Sequence, residues 1–331
     1  MKAIVVGSQA EGAPLRWSEA PSPSLGPGEV LVDVHATALN RADLLQRAGK
    51  YPPPPGASEI LGLECSGTVV RLGEGVSGWS IGDRVCALLP GGGYAEQVSV
   101  PARMLIPVPA AMSLVEAAAL PEVFLTAFSA LFGEGRLKDG ETVLIHAGAS
   151  GVGTAAIQLA RRAGCRVFVT AGSAEKIAAC ESLGAELGVN YREEEFEERI
   201  SDHLGGGGVD VVIDMVGKEY FEKNLRLMNT RGRLVFVSAQ SGSRVELNIG
   251  RLMAKRLELV GATLRARPLE EKVELKDRFL ERFCPDLETG RVKPVIDRIF
   301  PITEAEEAHR YMSENRNIGK IVLVVREDWT L

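Results

Sequence analysis

The stretch HAGASGVGTAAIQLAR, residues 146 to 161, decides the reading of this chain. Small residues here end a hydrophobic strand and open a helix, the place where unpaired helix amides and the helix dipole meet an anion such as a phosphate. Ser150 stands where a G-x-G-x-x-G fingerprint has its middle glycine. With Ala149 before it and Gly151 after it, close backbone approach is retained, and the hydroxyl offers a further hydrogen bond.

Working outward, strand-like and helix-like runs alternate from residue 141 onward. ETVLIHAG, CRVFVTAG, LGVNY, VDVVIDMVG, GRLVFVSA and ELVGATL read as six buried strands, with GVGTAAIQLARRA, AEKIAACESLGA, FEERISDHLG and YFEKNLRLM as helices between them. Near-continuous apolar strands with intervening helices predict a doubly wound parallel sheet. The first 120 or so residues differ in texture. Short β-rich pieces (MKAIVV, EVLVDVHATAL, GLECSGTVVRLG, DRVCALL, YAEQVSV) separated by Gly and Pro turns predict a compact, mostly antiparallel barrel. PVIDRIFPITEAEEAHRYMSENRNIGKIVLVV reads as strand, helix, strand, returning to that barrel. The expected domains are therefore 1–120 with 290–331, and 121–289.

A dinucleotide site normally has Asp or Glu at the end of its second strand, accepting from the ribose hydroxyls and repelling a 2′-phosphate. Here that strand ends VTAGSAEK, so Gly172 and Ser173 occupy the place of the acid and Lys176 follows. A small residue, a hydroxyl and a cation suit a phosphate, which favours NADPH over NADH. Tyr191, closing GVNY, is placed to lie along the adenine.

Composition excludes several classes. The 331 residues carry a net charge of -6 and no Lys/Arg-rich stripe, so nucleic acid and anionic membrane surfaces are not expected partners. Five scattered cysteines without a C-x-x-C pair read as reduced intracellular thiols. No run approaches the roughly 20 apolar residues of a membrane span. The start, MKAIVVGSQAEG, lacks the longer apolar region of a secretory signal, and the final REDWTL has no lipidation or peroxisomal signal, so a cytoplasmic location is expected.

On ALNRADLLQRAGKYPPPPGAS, LGLECSGTVV, IGDRVCALLPGGGYAEQVSVP, LPEVFLTAFSALF, HAGASGVGTAAIQLAR, VTAGSAEK and ENRNIGKIVL, the sequence resembles the medium-chain dehydrogenase/reductase superfamily over its whole length, in its zinc-independent quinone oxidoreductase branch. The resemblance implies a GroES-like β-barrel catalytic domain, a Rossmann domain, and NADPH in the cleft between them. It further implies that Asn40 and Tyr51 border the nicotinamide and the substrate and that Thr126 lines the cleft. Ser150, Gly151 and Val152 would hold the pyrophosphate turn, and Gly172, Ser173, Lys176 and Tyr191 the adenosine-phosphate end. Ser238 with Ala239, Thr263 with Leu264, and Asn317 would close around the nicotinamide ribose and diphosphate. Tyr51 and Ser150 are the expected catalytic pair, Tyr51 as donor to a quinone oxygen and Ser150 beneath the diphosphate. One departure is the segment RADLLQRAG, which carries leucines where bacterial-type members have a second tyrosine.

The zinc enzymes of that superfamily use a Cys early in the barrel, a His in a Gly-His-Glu turn, and a four-Cys lobe. Asn40 and Leu63 stand at the first two places, and Cys86 is alone where the lobe would be. An amide and an alkyl chain cannot supply the thiolate and imidazole that zinc prefers, so no metal is expected. His35 and His146 sit in strand patterns and read as structural. Without a Lewis acid to stabilise an alkoxide, the chemistry shifts to acceptors such as small quinones, which the protein need only orient. NADPH-dependent reduction of enals or enones is the alternative, or a crystallin-like NADPH-binding protein with little catalysis. A homodimer or homotetramer is expected, because ELVGATL, residues 258 to 264, would be an exposed apolar sheet edge.

Overall fold

The computed structural model describes residues 1–8, 10 and 12–326. Residues 327–331, most of the C-terminal REDWTL, lie outside the described residues. The chain folds as two compact units, Met1–Val123 with Arg265–Leu331, and Phe124–Leu264. In chain order the strands are β1 (Lys2–Val6), β2 (Leu15–Glu19), β3 (Glu29–Ala38), β4 (Glu64–Leu72), β5 (Arg84–Leu88), β6 (Gln97–Pro101), β7 (Leu105–Pro107), β8 (Thr142–Ile145), β9 (Arg166–Ala171), β10 (Leu187–Asn190), β11 (Val209–Asp214), β12 (Met228–Phe236), β13 (Glu258–Gly261), β14 (Ile296–Pro301) and β15 (Lys320–Val324). The helices are α1 (Arg41–Arg47), α2 (Leu114–Ala117), α3 (Pro121–Phe128), α4 (Gly151–Arg162), α5 (Ala174–Ser182), α6 (Phe196–His203), α7 (Phe221–Leu227), α8 (Ile249–Lys255), α9 (Leu269–Glu288) and α10 (Ala305–Ser313). No helix among the described residues is long and apolar enough to cross a membrane.

The first unit is built on β3, whose EVLVDVHATA is buried along most of its length. It pairs antiparallel with β4, β6 and β15, within the order β14-β15-β3-β4-β5-β7. The C-terminal strand joins this sheet with Val322 opposite Ala38 and Val324 opposite Ala36. Ile4, Leu39, Leu61, Tyr94, Phe300 and Leu323 form its buried core. Helix α9 groups with this unit, whereas the sequence reading carried the second domain to residue 289. The reason lies in its contacts. Glu270 pairs bidentately with Arg103 at 2.6 and 2.8 Å, and Glu288 accepts from the Ala110 amide at 3.0 Å.

The second unit is a six-stranded sheet in the order β10-β9-β8-β11-β12-β13, every pairing parallel. These are the six runs read from the sequence. They are short and apolar because helices cover both faces, with Leu144, Phe168, Val189, Val212 and Leu234 buried against Phe196, Ile200, Phe221 and Leu225. The order reverses at β8, flanked by β9 and β11, and in open α/β sheets ligands bind beyond the carboxyl ends of the strands at such a point.

Candidate functional site

The turn from β8 into α4 lies at that reversal. Ala147 takes a positive φ of 51°, and Ser150 is the N-cap of α4, its Oγ accepting from the Gly153 amide at 3.0 Å. The Thr154 amide is taken by the Ser150 carbonyl at 2.8 Å. The amides of Gly151 and Val152 are left with no protein acceptor among the described residues, as expected of an uncontinued helix start. The glycines answer packing. A Cβ on Gly153 would sit 2.4 Å from the Ala147 carbonyl oxygen, and one on Gly148 2.7 Å from Val169 Cβ. Ser150 accepts from the helix and donates its own proton only to a weak acceptor, Met215 Sδ at 3.7 Å.

Beneath the turn, His146 is fully buried and joins three strand ends. Its Nε2–H donates to Asn224 Oδ1 at 2.8 Å, since a carbonyl oxygen can only accept, and Nδ1 accepts from the Thr170 hydroxyl at 2.9 Å. Asn224 Nδ2 donates to Asp214 Oδ2 at 3.0 Å, while Asp214 Oδ1 accepts from the Val216 and Gly217 amides at 2.6 and 3.0 Å. Burial lowers the imidazole's pKa, against the pull of Asp214 and Asn224, so the ring is held neutral. The turn after β11 is packed on the next one: a Cβ on Gly217 would meet Ala239 Cα at 3.0 Å. Val237 and Gln240 donate to the Asp214 and Met215 carbonyls at 2.8 and 3.3 Å, and Ala262 to Phe236 at 2.8 Å. Ser238, Ala239, Thr263 and Leu264 therefore stand on adjoining strand ends.

At the other side of the reversal, β9 is followed by Gly172 and Ser173. A Cβ on Gly172 would lie 2.7 Å from Tyr191 Oη, so the glycine makes room for this phenol. Ser173 is the N-cap of α5, accepting from the Lys176 amide at 3.3 Å. Tyr191 is exposed and meets Tyr220 edge-on at 6.2 Å between centroids. The open helix start, a strand end without an acid, and an exposed aromatic face beside it together fit a nicotinamide dinucleotide.

The first unit contributes a buried polar cluster. Asn40 is the N-cap of α1, and its Nδ2 donates to Glu64 Oε1 at 3.0 Å and to the Ala38 carbonyl at 3.3 Å. Lys320 Nζ reaches Glu64 Oε1 at 2.8 Å and donates to Asn40 Oδ1 at 2.7 Å and the Leu39 carbonyl at 2.6 Å. The second Glu64 oxygen accepts from the Glu122 amide at 2.8 Å. Asn40's amide is thus engaged at both ends inside its own unit. Nearby, Asp43 accepts from the Asn40 amide at 2.7 Å and from Tyr94 Oη at 3.2 Å, and Tyr94 Oη also lies 3.2 Å from His309 Nε2. Burial pushes the Asp43 carboxyl up to about 6 and His309 down to about 3.

Tyr51 lies half-buried ahead of its prolines, with the Arg265 guanidinium over its ring, 5.2 Å from the centroid. Arg265 is itself anchored, donating to the Pro90 carbonyl at 2.8 Å and to Gln46 Oε1 at 2.7 Å. Burial raises the Tyr51 pKa, and Arg265 offsets only part of the rise. Thr126 is half-buried on α3, and Asn317 turns its amide to the Gly319 carbonyl at 2.7 Å. Asn40, Tyr51 and Asn317 belong to the first unit; the other expected site residues belong to the second. Sequence reasoning did not single out Arg265 or Lys320 with Glu64, which reach Tyr51 and Asn40 from distant parts of the chain.

Residues 26–110 match the family model described as alcohol dehydrogenase GroES-like domain, and residues 151–278 that described as zinc-binding dehydrogenase. The chain is 32% identical over 299 residues to the quinone oxidoreductase of Rattus norvegicus, covering 90% of this chain and 89% of the relative. It is 32% identical over 319 residues to a 2-haloacrylate reductase of Burkholderia sp, covering 93% and 94%. Among solved structures, the quinone oxidoreductase of Thermus thermophilus, described with its NADPH complex, superposes with a TM-score of 0.82 at 36% identity, covering 98% of this chain and 100% of that one. Although the second family model is described by zinc, no group of three or more His, Cys, Asp or Glu among the described residues is arranged to hold a metal ion. The chain belongs to the medium-chain dehydrogenase/reductase superfamily, as a nicotinamide-dependent oxidoreductase related to its quinone oxidoreductases.

Proposed function

We propose that the protein is a zinc-independent NADPH:quinone reductase. The observation that carries this reading is the Asn40–Glu64–Lys320 cluster. Where the zinc members place a thiolate, this chain has an amide bound at both ends to a buried ion pair and its surrounding backbone. Such residues suit an acceptor whose reduced oxygens need no metal, and a quinone, aromatic once reduced, is one.

NADPH, when bound, supplies the reducing equivalents. In this reading the chain's own residues bind and orient. The Gly151 and Val152 amides and the Ser150 hydroxyl take the diphosphate at the start of α4. Ser173, Lys176 and Tyr191 take the adenosine end, and Ser238 with Ala239 and Thr263 with Leu264 close around the nicotinamide ribose and diphosphate. Tyr51 donates its hydroxyl proton in a hydrogen bond to the quinone oxygen as charge develops there. Arg265 over the ring offsets part of the burial that would weaken the phenol as a donor, and it fixes the ring in place.

The relative named for 2-haloacrylate favours a second reading, in which an activated alkene is the acceptor. NADPH oxidation measured against 1,2- and 1,4-quinones and a panel of enones and acrylates, after chelation and elemental analysis, separates the two. Turnover of quinones by metal-free protein is the expected result. Turnover of alkenes alone favours the second reading, and activity restored only by zinc overturns the first.

We also propose that the protein is a homodimer or homotetramer joined through β13. That strand ends the sheet order and pairs only with β12 within the described chain. In the segment that precedes it in sequence, the apolar side chains of Val245, Leu247, Ile249 and Met253 are exposed, the last 71% exposed. An edge of this kind is open to pairing with its two-fold mate.

A further inference from the structure

Arg192 follows Tyr191 at the carboxyl end of β10. Its Nε lies 3.4 Å, and Tyr191 Oη 2.7 Å, from the point a Cβ on Gly172 would occupy. Both side chains thus fold back from one strand end over the end of the next, beside Ser173. The Arg192 amide donates to Asn190 Oδ1 at 3.3 Å, but the exposed guanidinium has no hydrogen bond or ion pair among the described residues.

Three neighbouring acids are engaged with other cations. The run REEEFEER supplies acids on every side, yet Glu194 pairs with Arg199 at 3.3 Å, Glu195 with Lys223, and Glu197 with Arg226 at 2.6 Å. The Tyr191 hydroxyl also lacks a hydrogen bond among the described residues, and Ser173, whose Oγ accepts from its helix, keeps a proton to donate. A guanidinium, a phenol and a serine hydroxyl, none with a protein acceptor, therefore converge where a ribose-binding acid would otherwise stand. They do so at the positive start of α5. Lys176, on the same helix, already has an interaction within the protein, and its charge offsets part of the burial that raises the Cys180 thiol.

We infer that Arg192 is a specificity-determining residue, its guanidinium taking the 2′-phosphate of the dinucleotide together with Ser173 and Tyr191. A planar fork matches two phosphate oxygens at once, which a lysine cannot do. The inference rests on the NADPH reading above and adds the residue that enforces it.

Calorimetric titration of NADPH, NADH and 2′,5′-ADP into the intact protein and its Arg192→Ala and Arg192→Lys variants tests this without turnover. Loss of a charge-assisted contact should weaken NADPH and 2′,5′-ADP by about tenfold to a hundredfold in Arg192→Ala. NADH should stay within about twofold, and Arg192→Lys should recover part of the loss. Because the side chain is exposed, unchanged thermal unfolding is expected. If the unaltered protein prefers NADPH and Arg192→Ala keeps that preference, the inference fails alone. Equal weakening of NADPH and NADH also overturns it, assigning Arg192 to loop packing. If the unaltered protein binds both dinucleotides equally, the NADPH reading itself fails and takes the inference with it.

Discussion

Replacing Lys320 with Met should destabilise the first unit by about 3–5 kcal/mol, the range for removing one partner of a buried ion pair. The structure shows why the value belongs in that range. Lys320 is 3% exposed and Glu64 fully buried, so solvent screens neither charge. All three ammonium protons are used, on Glu64 Oε1, Asn40 Oδ1 and the Leu39 carbonyl. Methionine leaves the carboxylate with its two neutral donors, Asn40 Nδ2 and the Glu122 amide, and strips a donor from two further buried oxygens. Its similar length limits any cavity contribution. The described tryptophans, Trp17 and Trp79, both lie in the first unit, so fluorescence-detected urea unfolding should report on it. At about 2–4 °C per kcal/mol for a unit of this size, the midpoint temperature should fall by about 10 °C. Adding Glu64→Gln removes the stranded charge and should restore at least half of the loss. A cost below about 1 kcal/mol for Lys320→Met, or no recovery in the double variant, would refute the reasoning.

Other outcomes follow from the same geometry. Tyr51→Phe should lower kcat by about tenfold to a hundredfold with NADPH affinity unchanged, whereas full kcat in Phe and loss in Ala would make the ring a packing lid. Burial depresses both His309, to about 3, and His146, so the native state keeps them neutral where the unfolded chain is protonated. A folded pKa below the unfolded one gives stability that is present above about pH 6.5 and is lost on acidification, for His309 by about 1.4 kcal/mol per pH unit as pH falls toward about 3. Asp43, pushed up to about 6, acts the opposite way, favouring the folded state as pH falls from about 6 to 4. His309→Gln should therefore flatten the dependence of unfolding free energy on pH below about 6.5 by about 1.4 kcal/mol per unit, and an unchanged slope would contradict the burial argument. Sedimentation at micromolar concentration should show a dimer or tetramer that Ile249→Asp with Met253→Asp dissociates; a monomeric unaltered protein removes the edge-pairing proposal.

The second unit was legible because its information is local. Each strand is a brief apolar run closed by small residues, and the expected ligand-facing residues follow those strands directly. Local reading nevertheless did not show that Tyr191, nineteen positions on, lies against Gly172. It also passed over Arg192, which heads an acidic run that reads as solvated surface. The polar cluster of the first unit could not be read at all. Lys320 meets Asn40 across 280 positions and Arg265 meets Tyr51 across 214, and no periodicity encodes such pairings. Helix α9 is the intermediate case: Leu275, Phe279, Phe283 and Leu287 recur every four residues and mark a buried face, but which unit that face covers is a tertiary fact.

The chain of hydrogen bonds through His146 constrains how this protein can drift. It runs in one direction, from the Thr170 hydroxyl through the imidazole and the Asn224 amide to Asp214, and each link has a fixed donor and acceptor. Reversing one link leaves two like groups facing each other in a dry interior, so single replacements in the middle are disfavoured even when size is conserved. Substitutions there have to come in sets. A descendant that exchanges His146 for an apolar residue must also relieve Asn224 of its donor, and the amide must then turn or be replaced together with Asp214, whose carboxylate holds the turn beside Ala239. Positions 146, 170, 214 and 224 should therefore change together or stay together, although they come from four different segments of the chain.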